Sequence, residues 1–375
     1  MAADLHPTIL LAGGGTGGHL YPGISVAESL RGLLPQCRPL FLCTERAIDT
    51  TILKPTGFDF ITQPIVPMQA NISGLLRFWK GLRETVDLVK GIIKEHQPVA
   101  VLGLGGYAAT MAVKVGAKQG VPAAMLNPDV IPGKANRYLM DVVKAVCCQF
   151  EATRGHVSSS KQARLRMTGC PIREDIKNLP SRTEAARRLT LNPMLKTLVI
   201  TGASQGATTV NEAALEVLKT VNVQGWQVLH LSGQEHAAPV RTEYRDLPQV
   251  DAQVLDFTPA MADVWAVADL AISRAGASSC AELTACGVPS ILMPYPFHKD
   301  MHQRANAKVL ADAGAAVLMN DEKDRRANAS KLQPILEALL HDGNRRAVMS
   351  EAARKLSHPD AAANVAQVLI EIMRR

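Results

Sequence analysis

Thr8-Ile9-Leu10-Leu11-Ala12-Gly13-Gly14-Gly15-Thr16-Gly17-Gly18-His19 decides the fold, because a largely apolar run of strand length passes straight into a glycine-rich turn. The passage recurs twice. Val101-Leu102 opens into Gly103-Leu104-Gly105-Gly106-Tyr107, and Val199-Ile200 into Thr201-Gly202-Ala203-Ser204-Gln205-Gly206-Ala207. Glycine in such turns permits positive φ and close approach of backbone amides, while the following helix aims its partial positive end at an anion. Around the turns, short apolar runs alternate with longer helical patterns: Thr8–Ala12, Pro39–Cys43, Ala100–Gly103 and Ala123–Leu126, then Thr197–Thr201, Gln227–Leu231, Leu270–Ser273 and Ser290–Pro294. This rhythm predicts an α/β chain of two doubly wound parallel-sheet domains. The proline-containing, charged stretch Gly169–Lys196 reads as the linker region between them. After Pro359, the helical spacing of Ala361, Val365, Val368, Leu369 and Ile372 predicts a final amphipathic helix.

Composition narrows the partners. With 375 residues, 47% hydrophobic and 20% charged, the chain is globular and long enough for two domains, which excludes disorder and a collagen-like fibre. No signal peptide or membrane-spanning run is evident. Seven scattered cysteines without C-x-x-C or Cys/His metal spacing suggest a reducing cytoplasm and no zinc site. The net charge of +7 favours an acidic partner: a nucleotide, a nucleic acid or an anionic membrane. Only 4% aromatics and no recognisable nucleic-acid-binding motif weigh against nucleic acid.

Gly13, Gly15 and Gly18 satisfy G-x-G-x-x-G, but Glu45 is a poor match to the acid that a dinucleotide site places about 20 residues on. His19 is either a proton acceptor at the turn or a structural cap on a helix beginning near Pro22. Ser278 and Ser279 suit the N-cap of a helix Cys280–Cys286 closed by Gly287, a start able to bind diphosphate or simply a capped end. Glu282 lies one turn in, a hydrogen-bond acceptor for ribose or a solvated acid. Pro294–Ala307 crowds Asp, His, Gln and Asn past a strand end, the donor and acceptor set a sugar requires. No Asp-x-Asp occurs to bridge a metal. Leu75, Leu76, Phe78, Trp79 and Leu82 share a helical side edged by Arg77, Lys80 and Arg83, which fits an anionic bilayer surface or an ordinary buried helix.

Taken in order, GGGTGGHLYPG (13–23), GLGGY (103–107), GASQGA (202–207) with Asn211, SRAGASSCAE (273–282) and HKDMHQRANA (298–307) resemble the signatures of the MurG family, the peptidoglycan N-acetylglucosaminyltransferases of glycosyltransferase family 28. The resemblance runs from Leu10 to the last helix. It implies a GT-B fold of two Rossmann-like domains facing a cleft: residues 1–170 for the acceptor and membrane, 171–357 for UDP-N-acetylglucosamine, and 358–375 as a helix packing back on the first. On that pattern Thr258 and Met261 frame uracil, Glu282 binds ribose, and Arg173, Ser204, Ala277, Ser278 and Ser279 engage the diphosphate, with His302 and Gln303 on the sugar. His19 becomes the general base. Thr16, Gly17, Gly18, Gly105, Gly106, Tyr107, Asn127 and Asn136 fall to the acceptor, a lipid-linked muramoylpentapeptide, and no metal is obligatory. The implied location is peripheral, on the cytoplasmic face of the inner membrane, and the Leu75–Arg83 side then meets anionic lipid. Asn127-Pro128-Asp129 departs from the family's usual Glu-Gln-Asn, Ala203 and Thr208 from its usual glycine and arginine, and Pro296 resembles an insertion. The rival readings are a GT-B transferase for another lipid such as diacylglycerol, a non-catalytic sugar-nucleotide-binding subunit, and a nicotinamide-dependent oxidoreductase.

Overall fold

The computed structural model describes residues 7–67, 71–202, 206–297 and 300–374. These fall into two compact units, one running to Arg173 and resuming at Pro359, the other Glu174–His358.

The first unit is built on seven parallel strands: β1 (Thr8–Ala12), β2 (Arg38–Thr44), β3 (Asp59–Gln63), β4 (Ala100–Gly103), β5 (Ala123–Asn127), β6 (Ala145–Cys148) and β7 (Leu165–Met167). Their order is β3-β2-β1-β4-β5-β6-β7, with Leu10 of β1 opposite Leu40 on one side and Val101 on the other. Successive side chains of a strand point to opposite faces, so a strand covered on both sides needs apolar residues throughout. β1 shows this directly. Ile9 and Leu11 pack with Leu20, Leu30 and Phe41 on one face, while Leu10 and Ala12 pack with Leu42, Val101 and Met125 on the other. The helices that matter for the site are α1 (Gly17–Leu33), α2 (Ala47–Leu53), α3 (Ile72–His96), α4 (Gly106–Lys118) and α5 (Lys134–Leu139). The C-terminal helix Ala361–Met373 returns to this unit, where Val365, Ala366, Leu369 and Ile372 enter the α1-side core.

The second unit holds six parallel strands in the order β10-β9-β8-β11-β12-β13. They are β8 (Lys196–Thr201), β9 (Trp226–Leu231), β10 (Ala252–Leu255), β11 (Ala268–Ser273), β12 (Ser290–Leu292) and β13 (Ala316–Leu318). The helix Thr208–Leu218 is held to β9 by a fully buried bridge: His230 Nε2 lies 3.1 Å from Asn211 Oδ1 and its Nδ1 2.9 Å from the Tyr244 hydroxyl. Burial pushes the His230 pKa down to about 3, so the imidazole stays neutral and serves as a core spacer.

Two expectations need correction. The stretch 169–196 is not a free linker: the chain changes units at Arg173, and helices Glu174–Lys177 and Arg182–Arg188 belong to the second. Ser181 and Glu184 form a reciprocal capping box that starts the latter helix, and Arg182 and Arg188 bind Asp269 and Asp263 at 2.8 and 2.9 Å. Likewise α1 begins at Gly17 rather than near Pro22, which lies inside the helix, so His19 lies inside the first turn.

Each sheet reverses its winding once, between β1 and β4 and between β8 and β11. Ligands of open α/β sheets sit beyond the strand ends at such points. The first point carries the Gly13 and Gly105 turns, the second Gly202 at the end of β8 and the Arg274–Ser279 segment.

Candidate active site

At the first switch point the His19 ring rests on the second glycine turn. A Cβ on Gly105 would lie 3.1 Å from His19 Cδ2, and one on Gly106 3.0 Å from Cε1; both glycines adopt positive φ, +117° and +70°. No other residue lets the imidazole settle there without strain. His19 Nδ1 lies 3.1 Å from the Gly14 carbonyl oxygen and 3.4 Å from Thr16 Oγ1. A carbonyl only accepts, so this contact requires the proton on Nδ1, which in the neutral ring leaves the lone pair on Nε2. Thr16 is the N-cap of α1 by backbone conformation, without a side-chain capping bond.

Asp49 and Arg46 complete this cluster, and the sequence reading missed both. The Asp49 carboxylate is wholly buried and accepts from the Gly15 amide and from the amide and hydroxyl of Thr44. Arg46 Nη1 donates to the Gly15 carbonyl at 2.8 Å. Tyr107 opens α4 nearby, its hydroxyl pKa raised by burial. Gly17 packs against the Tyr21 ring and Gly18 is exposed. Asn127 and Asn136 are buried and bonded to each other at 3.0 Å, and their other amide bonds reach Asp129 and Leu126 carbonyls. Those two residues therefore shape the loop after β5. Arg173 ends the first unit with its guanidinium 4.8 Å over the Tyr21 ring.

At the second switch point a helix runs from Ala277 to Cys286 with Gly276 as N-cap, so Ser278 and Ser279 are first-turn residues and make no capping bond. That corrects the expected start at Cys280. The reason is local: Gly276 takes extended backbone there, leaving the serine hydroxyls on the positive end of the helix. Glu282 is half-buried and accepts from Trp265 Nε1 at 2.8 Å, which fixes the direction of its carboxylate. Thr258 receives the Ala260 amide on its hydroxyl at 3.1 Å, just ahead of the helix Met261–Val267. His302 and Gln303 open the helix His302–Asp312, and Gln303 Oε1 accepts from the Tyr295 amide at 2.9 Å. Ser204, and His298 of the sugar segment, lie outside the described residues.

Beneath this face lies a second feature that the sequence did not disclose. Arg274, 5% exposed, donates from Nη1 to Asp321 at 2.7 Å and to the Met293 and Pro294 carbonyls, and from Nη2 to Thr209 Oγ1 at 2.7 Å. One guanidinium thus ties together four segments around the strand ends. Among the described residues, no group of three His, Cys, Asp or Glu is arranged to hold a metal ion.

Residues 9–148 match the glycosyltransferase family 28 N-terminal domain and residues 197–365 its C-terminal domain. The chain is 34% identical over 373 residues, 98% of its own length and all of the relative's, to a Bacillus cytotoxicus protein named UDP-N-acetylglucosamine–N-acetylmuramyl-(pentapeptide) pyrophosphoryl-undecaprenol N-acetylglucosamine transferase. A Halothermothrix orenii protein of the same name is 31% identical over 94% of the chain and 95% of that protein. Among solved structures, Acinetobacter baumannii MurG superposes with a TM-score of 0.74 at 26% identity, covering 97% of this chain and 99% of that one. The glycotransferase of kitacinnamycin, at 16% identity and TM-score 0.72 over 98% and 99% of the two chains, shares the fold. With two Rossmann-like units of GT-B type, both domain profiles matched and full-length relatives above 30% identity, the chain belongs to glycosyltransferase family 28, among its MurG members.

Proposed function

We propose that this chain transfers N-acetylglucosamine from UDP-N-acetylglucosamine to the C4 hydroxyl of the muramoyl sugar in undecaprenyl-diphospho-muramoylpentapeptide, with inversion, as a step of peptidoglycan synthesis. The hydroxyl oxygen bonds to C1 as the bond from C1 to the diphosphate breaks. His19 Nε2 takes the hydroxyl proton, and UDP departs with the electron pair. The chemistry rests on one observation: His19 is held with Nδ1–H on a carbonyl and Nε2 as its remaining basic atom. The substrates follow from the names of the full-length relatives.

The positive end of the Ala277 helix, with Ser278 and Ser279, stabilises the charge growing on UDP, assisted by Arg173 and Ser204. Trp265 holds Glu282 toward ribose, Thr258 and Met261 frame the base, and His302 and Gln303 address the sugar. Thr16, Gly17, Gly18, Gly105, Gly106 and Tyr107 receive the acceptor, on a loop shaped by Asn127 and Asn136. The chemistry so described calls for no metal.

The acceptor's lipid brings the protein to the cytoplasmic face of the inner membrane, and α3 is the contact. Its first turns leave Leu75, Leu76 and Trp79 at 43, 67 and 59% exposure, with Arg77, Lys80 and Arg83 exposed beside them. Phe78 and Leu82 are half-buried, and Thr85, Val89 and Ile92 turn inward, so the helix is interfacial at one end and an ordinary core helix at the other. No described helix is long and apolar enough to cross a membrane. Radiolabelled UDP-N-acetylglucosamine offered to lipid I and to diacylglycerol in anionic vesicles tests both points. Label enters lipid I. The triple variant Leu75→Ser, Leu76→Ser and Trp79→Ser lowers that transfer at least tenfold, since each of these side chains is worth up to about 1.5–3 kcal/mol when buried, and spares a soluble short-chain acceptor. Label in diacylglycerol alone refutes the acceptor assignment.

A further inference from the structure

We infer that Asp49 is the positioning residue that sets the tautomer of His19 through the Gly14–Gly15 peptide, an inference resting on the transferase reading above. Asp49 lies on α2 in no motif, and its side chain is completely buried. A buried carboxylate is costly unless hydrogen bonds satisfy its oxygens. Here they do: Gly15 N lies 2.8 and 2.9 Å from the two oxygens, and Thr44 N and Oγ1 lie 2.8 and 2.7 Å from Oδ2.

Two consequences follow. In a glycine-turn nucleotide site, amides of this kind would meet a phosphate. In this chain the Gly15 amide is taken by a fixed carboxylate instead, and that bond serves another purpose. The purpose is visible across a single planar peptide. Its N–H, from Gly15, donates to Asp49, and its C=O, from Gly14, accepts from His19 Nδ1 at 3.1 Å. Carboxylate, peptide and imidazole form one polarised chain, in which the anion strengthens the carbonyl as an acceptor and holds it in place. Gly14 has no substitute in this chain, because a Cβ there would stand 2.2 Å from Asp49 Oδ2. Arg46 fixes the next peptide through the Gly15 carbonyl.

Asp49→Asn keeps the shape but turns an NH2 toward amide or hydroxyl donors. The imidazole nitrogen-15 spectrum of the full-length protein reads the result without reference to catalysis. In wild type, neutral His19 shows Nδ1 protonated and Nε2 bare; in Asp49→Asn the two tautomers mix. With lipid I, kcat drops about 10–100-fold, the range for an outer residue that orients a reactive group, while KM for UDP-N-acetylglucosamine holds. Should Asp49→Asn not fold, Arg46→Met decides, since Arg46 is exposed and its loss frees the same turn; it shifts both readouts in the same direction by a smaller factor. A wild-type His19 protonated on Nε2, or folded variants with unchanged tautomer and kcat, overturns the inference. Wild-type protein with the expected tautomer but no transfer would instead refute the transferase reading alone.

Discussion

His19→Ala lowers kcat about 10²–10⁴-fold, the usual contribution of a positioned general base. The substitution removes the imidazole but touches little else. Its contacts are the Gly14 carbonyl, Thr16 Oγ1 and the faces of Gly105 and Gly106, none of them part of the packed core. Stability therefore changes little, and UDP affinity is retained, because Glu282, Ser278 and Ser279 stand on the other unit. Steady-state kinetics with lipid I, paired with a UDP titration, check both halves. A kcat within about threefold of wild type removes His19 from the chemistry.

Arg274→Met destabilises the second unit by about 3–5 kcal/mol, the cost of leaving one member of a buried ion pair uncompensated. Asp321 is the stranded partner: its side chain is wholly inaccessible and, among the described residues, keeps Thr209, Asn328 and the Lys323 amide as donors. Urea denaturation followed at the second unit measures the loss. Adding Asp321→Asn recovers part of it, since the stranded charge is removed while an amide oxygen remains to accept from Asn328 and the Lys323 amide. Donor affinity falls in the single variant as well, because Arg274 anchors the Met293 and Pro294 carbonyls just ahead of Tyr295, whose amide binds Gln303. An unchanged urea midpoint contradicts the network's role.

The sequence disclosed what repeats and concealed what is solitary. Interior strands such as β1, β4 and β8 announce themselves because both faces are covered and nearly every residue is apolar. β3 and β10 are half-buried edge strands, Asp59-Phe60-Ile61-Thr62-Gln63 and Ala252-Gln253-Val254-Leu255, and carry a diluted pattern. β7 and β13 are three-residue strands at sheet edges, too short and too little covered for the pattern to register. The glycine turns and His19 were legible as chemistry because their spacing is contiguous. Asp49 is 34 residues from Gly15, and Arg274 is 47 from Asp321, so only the folded sheets bring them together. Asn127 and Asn136, nine residues apart, are bonded to each other, a pairing that their separate positions in the sequence did not disclose.

The central claim is that a uridine nucleotide binds at the Ala277 helix, with Glu282 on its ribose. Calorimetric titration of UDP into wild type and Glu282→Ala tests it most directly. The account predicts saturable one-to-one binding to wild type, weakened about tenfold or more in the variant, the range for a lost hydrogen bond to a charged group, and no heat from NADH. Absence of UDP binding, or tight NADH binding, contradicts it.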